Sequence, residues 1–156
     1  MIKYFTIILI CMIQLNFLEG QNKTEKNKYM SLGFLDHKTG TSLVGYARTL
    51  KKVDKHELFV GVGTLIAMNT LSVGWKYYLS DSPVHLYSVI AAQGAVGMSV
   101  KFKILPIVFA SVGFEKAIYK NMWINVGVNS TVRLYLDGSH NPDFLVLPNA
   151  NLNWRW

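Results

Sequence analysis

The stretch D-F-L-V-L-P-N-A-N-L-N-W-R-W, Asp143 to Trp156, decides the fold class. From Val146 on, even positions carry Val146, Pro148, Ala150, Leu152, Trp154 and Trp156. Odd positions carry Leu147, Asn149, Asn151, Asn153 and Arg155. Successive side chains of a strand point to opposite faces, so one face is greasy and the other amide-rich and charged. In a water-soluble sheet the greasy face meets a core. In a membrane barrel it meets lipid, and the polar face lines the lumen. The rest of the chain has to separate these two readings.

Working back from this strand, the same period of two recurs between turn signals and gives eight candidate strands. The seventh, Met122 to Leu136, sets Ile124, Val126, Val128, Val132 and Leu134 against Asn125, Gly127, Asn129, Thr131 and Arg133. The sixth, Leu105 to Glu115, opposes Val108, Ala110, Val112 and Phe114 to Phe109, Ser111, Gly113 and Glu115. The fifth, Val84 to Ala95, is ambiguous in phase. The fourth, Leu71 to Ser80, and the third, His56 to Met68, alternate cleanly. The second, Thr41 to Leu50, has mixed faces, and the first spans Lys28 to Leu35. Turns are expected at Asp36 to Gly40, Lys51 to Lys55, Asn69-Thr70, Asp81 to Pro83, Lys116 to Asn121 and Asp137 to Pro142. No stretch beyond the N-terminus has a helical period, so the expected architecture is all-β, an up-and-down antiparallel meander.

The second face argues for a membrane barrel. Gly61, Gly63, Ser72, Gly74, Ser111, Gly113, Asn125, Gly127, Asn129, Asn149, Asn151 and Asn153 are small or amide-bearing, where a water-facing strand would carry more Lys and Glu. The charges on that face are Glu57, Lys76, Glu115, Arg133 and Arg155. Inside a lumen they must pair, because an unpaired buried charge is costly. Lys76 and Arg133 are assigned to such a network. For Glu57, Glu115 and Arg155 a solvated rim position is equally compatible. Trp75, Tyr77, Phe114, Trp154 and Trp156 lie on the apolar face, where aromatic rings form girdles at membrane boundaries. Core aromatics of a soluble sandwich are the competing reading. A barrel of eight strands is filled by its own side chains rather than open to diffusion.

The N-terminus fits export. Met1-Ile2-Lys3 is followed by an uncharged, mostly apolar run from Tyr4 to Leu18, too short for the roughly 20 residues of a spanning helix. Residues 1–20 read as a signal peptide cleaved after Gly20, with an uncleaved anchor as the alternative. Cys11, the only cysteine, lies within it, so the exported chain would hold no disulfide and no thiolate metal site. Residues 21–27 read as a flexible polar lead-in, and 28–156 as one barrel domain.

From Lys28 to Trp156 the chain resembles the small eight-stranded outer-membrane beta-barrel family of Gram-negative-type bacteria. In that family the final strand carries the signal for the barrel-assembly machinery: a polar residue, a glycine two positions on, then alternating hydrophobics ending in an aromatic. Asn149, Leu152, Trp154 and Trp156 match it, with Asn151 where glycine is preferred. The segments G-W-K-Y-Y-L-S-D and G-F-E-K-A-I-Y-K-N-M-W-I-N-V-G-V look like its strand-turn-strand units. The resemblance implies a bacterial outer-membrane location, with membrane lipids and the assembly machinery as partners. It would place the connections at Lys51–Lys55, Asp81–Pro83 and Lys116–Asn121 in the periplasm. Lys23, Lys26, Lys28, Lys51, Lys52, Lys55, Lys116 and Lys120 would then gather there, beside anionic headgroups or simply as solubilising charge. Those at Asp36–Gly40, Asn69-Thr70, Gly97–Lys103 and Asp137–Pro142 would face outward.

Ser139-His140, flanked by Asp137 and Asp143, is the one cluster to weigh as a catalytic site, because some barrels of this kind modify lipid A acyl chains. Adjacent side chains diverge, whereas a nucleophile needs its base within hydrogen-bond reach. D-G-S-H-N-P is better read as turn chemistry, so no catalytic residue and no enzyme activity is expected. His37, His56, His85 and His140 lack paired ligand spacing, so neither metal nor cofactor is expected. Asn22-Lys23-Thr24 and Asn129-Ser130-Thr131 match the glycosylation pattern by chance. Basic charge is not interleaved with aromatics as in a nucleic-acid groove, so nucleic acid is not an expected partner. The leading expectation is an outer-membrane barrel with a structural or surface-interaction role. The alternatives are a lipid A acyl hydrolase or transferase and a soluble periplasmic barrel for an apolar ligand.

Overall fold

The computed structural model describes residues 26–66, 68–80, 82–97, 104–134 and 143–156. The expected signal segment with Cys11, most of the expected lead-in, Ala67, Asp81, residues 98–103 and residues 135–142 with Ser139 and His140 lie outside the described residues. The eight strands are β1 Lys28–Phe34, β2 Val44–Val53, β3 His56–Leu65, β4 Met68–Tyr78, β5 Val84–Gly97, β6 Ile104–Tyr119, β7 Met122–Arg133 and β8 Asp143–Arg155. Each pairs antiparallel with its neighbour in sequence, and β1 also pairs with β8, from Tyr29 opposite Arg155 to Phe34 opposite Ala150. The sheet closes into a barrel and leaves no open edge.

Sidedness follows the alternation. Val126 and Val128 are exposed, whereas Asn125 and Asn129 are buried. Leu71, Val73 and Trp75 of β4 point outward, and Thr70, Ser72 and Lys76 point inward. The apolar face is therefore the outside of the barrel and the amide-rich face is its inside. One wall of the interior is apolar: Phe59, Tyr87, Val89, Ala91 and Phe109 form a buried cluster against Tyr78. That wall explains why β5 has no readable phase. Its inward Val89, Ala91 and Ala95 are as apolar as its outward Ile90.

The structure moves several boundaries. Lys51, Lys52 and Val53 continue β2 instead of forming a turn, and the hairpin closes at Asp54 with φ 51°. Asp is one of the few residues that tolerate this left-handed conformation. Between Thr49 and Lys51 the register slips, so Leu50 is an extra residue and Lys52, not Lys51, comes opposite inward-facing Glu57. Such a bulge breaks a period of two, which is why β2 reads as mixed. Lys116 likewise belongs to β6, which runs to Tyr119 through a second bulge. Asn69 and Thr70, expected as a tight turn, are strand residues of β4, and the chain reverses at Ile66 instead.

Candidate functional site: a plugged lumen

The largest departure from expectation is the connection between β1 and β2. Asp36 to Gly40 does form a turn, bridged from Asp36 to Gly40, but it is not on the surface. Asp36, His37, Lys38 and Thr39 are each at most 2% exposed, because the loop folds into the barrel and plugs it. β1 is only seven residues long, and Leu35 then takes φ 54°, which turns the chain inward. The space it enters is made by glycines. A Cβ on Gly45 would lie 2.3 Å from Thr39 Oγ1, and one on Gly63 would lie 2.5 Å from Ser42 Cβ. Gly40 has φ 67°, and a Cβ there would strike the Gln93 amide at 2.6 Å.

A buried loop must find partners for its backbone, and this one takes them from inward side chains of the wall. Gln93 Nε2 and Thr70 Oγ1 donate to the Thr39 carbonyl at 2.9 and 3.2 Å. Ser72 Oγ donates to the Lys38 carbonyl at 2.6 Å, and Asn129 and Asn151 donate to the Leu35 carbonyl at 3.1 and 3.3 Å. The Ser and Asn positions of the lumen face thus hold the plug. Asp36 organises the turn itself. Its Oδ2 accepts from the Thr39 backbone amide at 3.1 Å and the Thr39 hydroxyl at 2.9 Å, and its Oδ1 lies 2.6 Å from the Tyr29 hydroxyl.

The plug also completes the lumen's electrostatics. Lys76 Nζ lies 2.5 Å from Glu115 Oε2 and 3.1 Å from His37 Nε2. As an ammonium it can only donate, so it meets Nε2 as an acceptor. On the other side of the ring, Nδ1 lies 3.2 Å from Asp36 Oδ1 and 3.0 Å from Asn125 Nδ2. Arg155 Nη2 reaches the same Glu115 oxygen at 2.6 Å. Glu57 accepts from Lys38 of the plug, from Thr49 at 2.5 Å and from Tyr78 at 3.0 Å. Lys38, Lys76 and Arg155 thereby balance Asp36, Glu57 and Glu115. Buried charge is tolerable when it is paired and hydrogen-bonded in this way.

Of the residues expected in a lumen network, the structure brings Lys76, Glu115 and Arg155 into contact. Glu57 lies across the β3–β4 register from Lys76 but takes Lys38 as its partner. Arg133 is not part of this cluster. It sits eight residues along β7 from Asn125, the residue facing Glu115, which is about 26 Å of strand. Asp36, His37 and Lys38 were not legible as lumen residues, because a D-H-K-T-G string reads as a surface turn. The inward glycines on β2 and β3 were the available signal that something else occupies the lumen. Of the final-strand residues, Asn149 is buried inside, donating to Asn129 Oδ1 at 2.6 Å. Trp154 and Trp156 are exposed outside, and Leu152 is partly covered between them and the neighbouring strands.

Chemically, the cluster is a charge-balanced set of ion pairs, buried apart from Arg155 at the mouth, whose side chain is 14% exposed. Its carboxylates are taken up by lysine and arginine, and among the described residues no group of three His, Cys, Asp or Glu converges as a metal would require. No family model, curated protein or solved structure matches the chain.

Proposed function

We propose that this chain is a bacterial outer-membrane β-barrel whose lumen is closed by its own first connection, with a structural or surface-contact role in the cell envelope rather than catalysis. The observation that carries the reading is the sidedness. Val126 is 51% exposed and Leu71 is 59% exposed, while the neighbouring inward Asn125 and Lys76 are both 0%. A soluble barrel with an apolar coat and a lysine at its centre would be inverted. Soluble monomers rarely expose large apolar patches. Hydrocarbon around a closed sheet is the environment in which both faces are stable, because closure leaves no backbone group unpaired in lipid.

Aromatic side chains support the same reading. Trp75, Trp154 and Trp156 face outward near the mouth at which β1 begins and β8 ends. His56 stacks on Trp75 at 5.3 Å, and Tyr77 lies 4.9 Å from His56. Amphipathic rings in this position suit a membrane boundary. A plugged eight-stranded barrel has no room for solute passage, so transport is not part of the proposal.

Fractionation combined with gel mobility tests it. The protein is expected in the outer-membrane fraction, running as a compact band in detergent until boiled. Recovery in the soluble periplasm would favour a soluble barrel for an apolar ligand instead. Altered lipid A that reverts on Ser139→Ala or His140→Ala would favour the acyl-modifying alternative.

A further inference from the structure

At the mouth where β1 begins and β8 ends, the interior holds a cavity of about 60 Å³. A cavity of roughly 10–15 Å³ already holds a water, so this one admits a group of several heavy atoms. Five cationic side chains line it, Lys26, Lys28, Lys38, Lys52 and Arg155, against one carboxylate, Glu57. Each element that closes the mouth contributes: the approach to β1, the plug, the end of β2 and the last strand. Arg155, one of the lining residues, has a buried Nε with no hydrogen-bond partner, although Nη2 of the same guanidinium is bound to Glu115. Buried donors of this kind are normally satisfied by protein, water or a ligand.

We propose that this cavity is a binding site for a small oxyanion, a phosphate or carboxylate group, held between Arg155 and the lysines of the mouth. The charge asymmetry excludes a cation, and the lining is polar rather than an apolar slot, with the Tyr78 and Thr49 hydroxyls donating to Glu57 and so leaving the anion to the cationic side chains. Arg155 supplies directed N–H donors suited to a planar or tetrahedral oxyanion, and the lysines supply point charge. Lys38 belongs to the plug, so an occupying anion also adds an anchor to it. The site does not depend on the membrane reading. Free phosphate in the surrounding solution and the headgroup of a neighbouring lipid present the same chemistry.

The test uses the full chain in a maltoside detergent, titrated separately with inorganic phosphate and with phosphatidylglycerol in mixed micelles. Chloride at matched ionic strength is the control. The thermal midpoint is expected to rise with phosphate beyond the chloride control and to saturate, as binding to the folded state alone requires. In Lys26→Ala/Lys52→Ala, whose positions are exposed, the apparent affinity is expected to fall by about tenfold or more. A circular dichroism spectrum matching that of the unsubstituted protein shows that this variant folds. A response to phosphatidylglycerol alone, lost in the same variant, would support the site and identify a lipid headgroup as its occupant. A response no larger than that of chloride with both probes, or one unaffected by the two substitutions, would overturn the proposal.

Discussion

Lys76 shows how much one side chain can carry here. It is fully buried, it is shared between Glu115 and His37, and its Nζ sits 4.3 Å from the centre of the Tyr87 ring. Lys76→Met removes the ammonium and leaves Glu115 with Arg155 as its ion-pair partner among the described residues. Breaking a buried pair from one side costs about 3 kcal/mol, so unfolding in denaturant should shift by that order. Lys76→Met with Glu115→Gln should lose less than the sum of the two single changes, because the second change removes the stranded charge. Additive losses would mean that the two groups do not interact. Gly45 tests the contact between wall and plug. A Cβ there meets Thr39 Oγ1 at 2.3 Å and Ser31 Oγ at 2.7 Å, so Gly45→Val should destabilise by about 2 kcal/mol through overpacking. A neutral Gly45→Val, measured by thermal unfolding, would mean that the plug does not sit against β2.

Among the elements, the plug is the one that ties the wall together. Replacing Asp36 to Gly40 by a Gly-Ser segment of equal length removes Lys38, the ion-pair partner of Glu57, and His37's contact with Lys76 in one step. The barrel should retain its strand content by circular dichroism, while its stability falls by about 3 kcal/mol or more. An unchanged midpoint would show the loop to be decoration. The turns give an opposite prediction. Ile66 is 85% exposed and holds φ 52°, a conformation that costs a β-branched residue about 1–2 kcal/mol. Ile66→Asn should therefore raise the thermal midpoint. What could be read from sequence at this scale follows the same physics. β3, β4, β7 and β8 are legible because one face is apolar and the other carries mostly small, hydroxyl or amide residues. β2 is not, since the bulge at Leu50 reverses the alternation, and β5 is not, since it backs the apolar wall. The sequence suggests a turn at Asn69-Thr70 rather than at Ile66 because Asn is common in turns, whereas Thr70 faces inward and holds the plug. The inward course of the plug could not be read at all. Its partners Glu57, Lys76, Gln93 and Asn129 lie far along the chain, and no local pattern in D-H-K-T-G encodes them.

For the whole molecule, the register places Lys28, Lys52, Lys55 and Lys116 at one end of the barrel, with the start of β1 and the end of β8. If that end faces the periplasm, external trypsin should leave Lys51 and Lys52 uncut in intact cells and cut them once the outer membrane is breached. Cleavage in intact cells would reverse the topology. The sidedness of the sheet is more basic than its direction, and two adjacent positions on β7 isolate it. With Cys11 replaced by serine, a spin label at Val126→Cys in bilayers should collide with dissolved oxygen and be shielded from an aqueous nickel complex. A label at Asn125→Cys should be shielded from both. Strong nickel contact at position 126, matching that of a label in solution, would place the apolar face in water and contradict the membrane barrel.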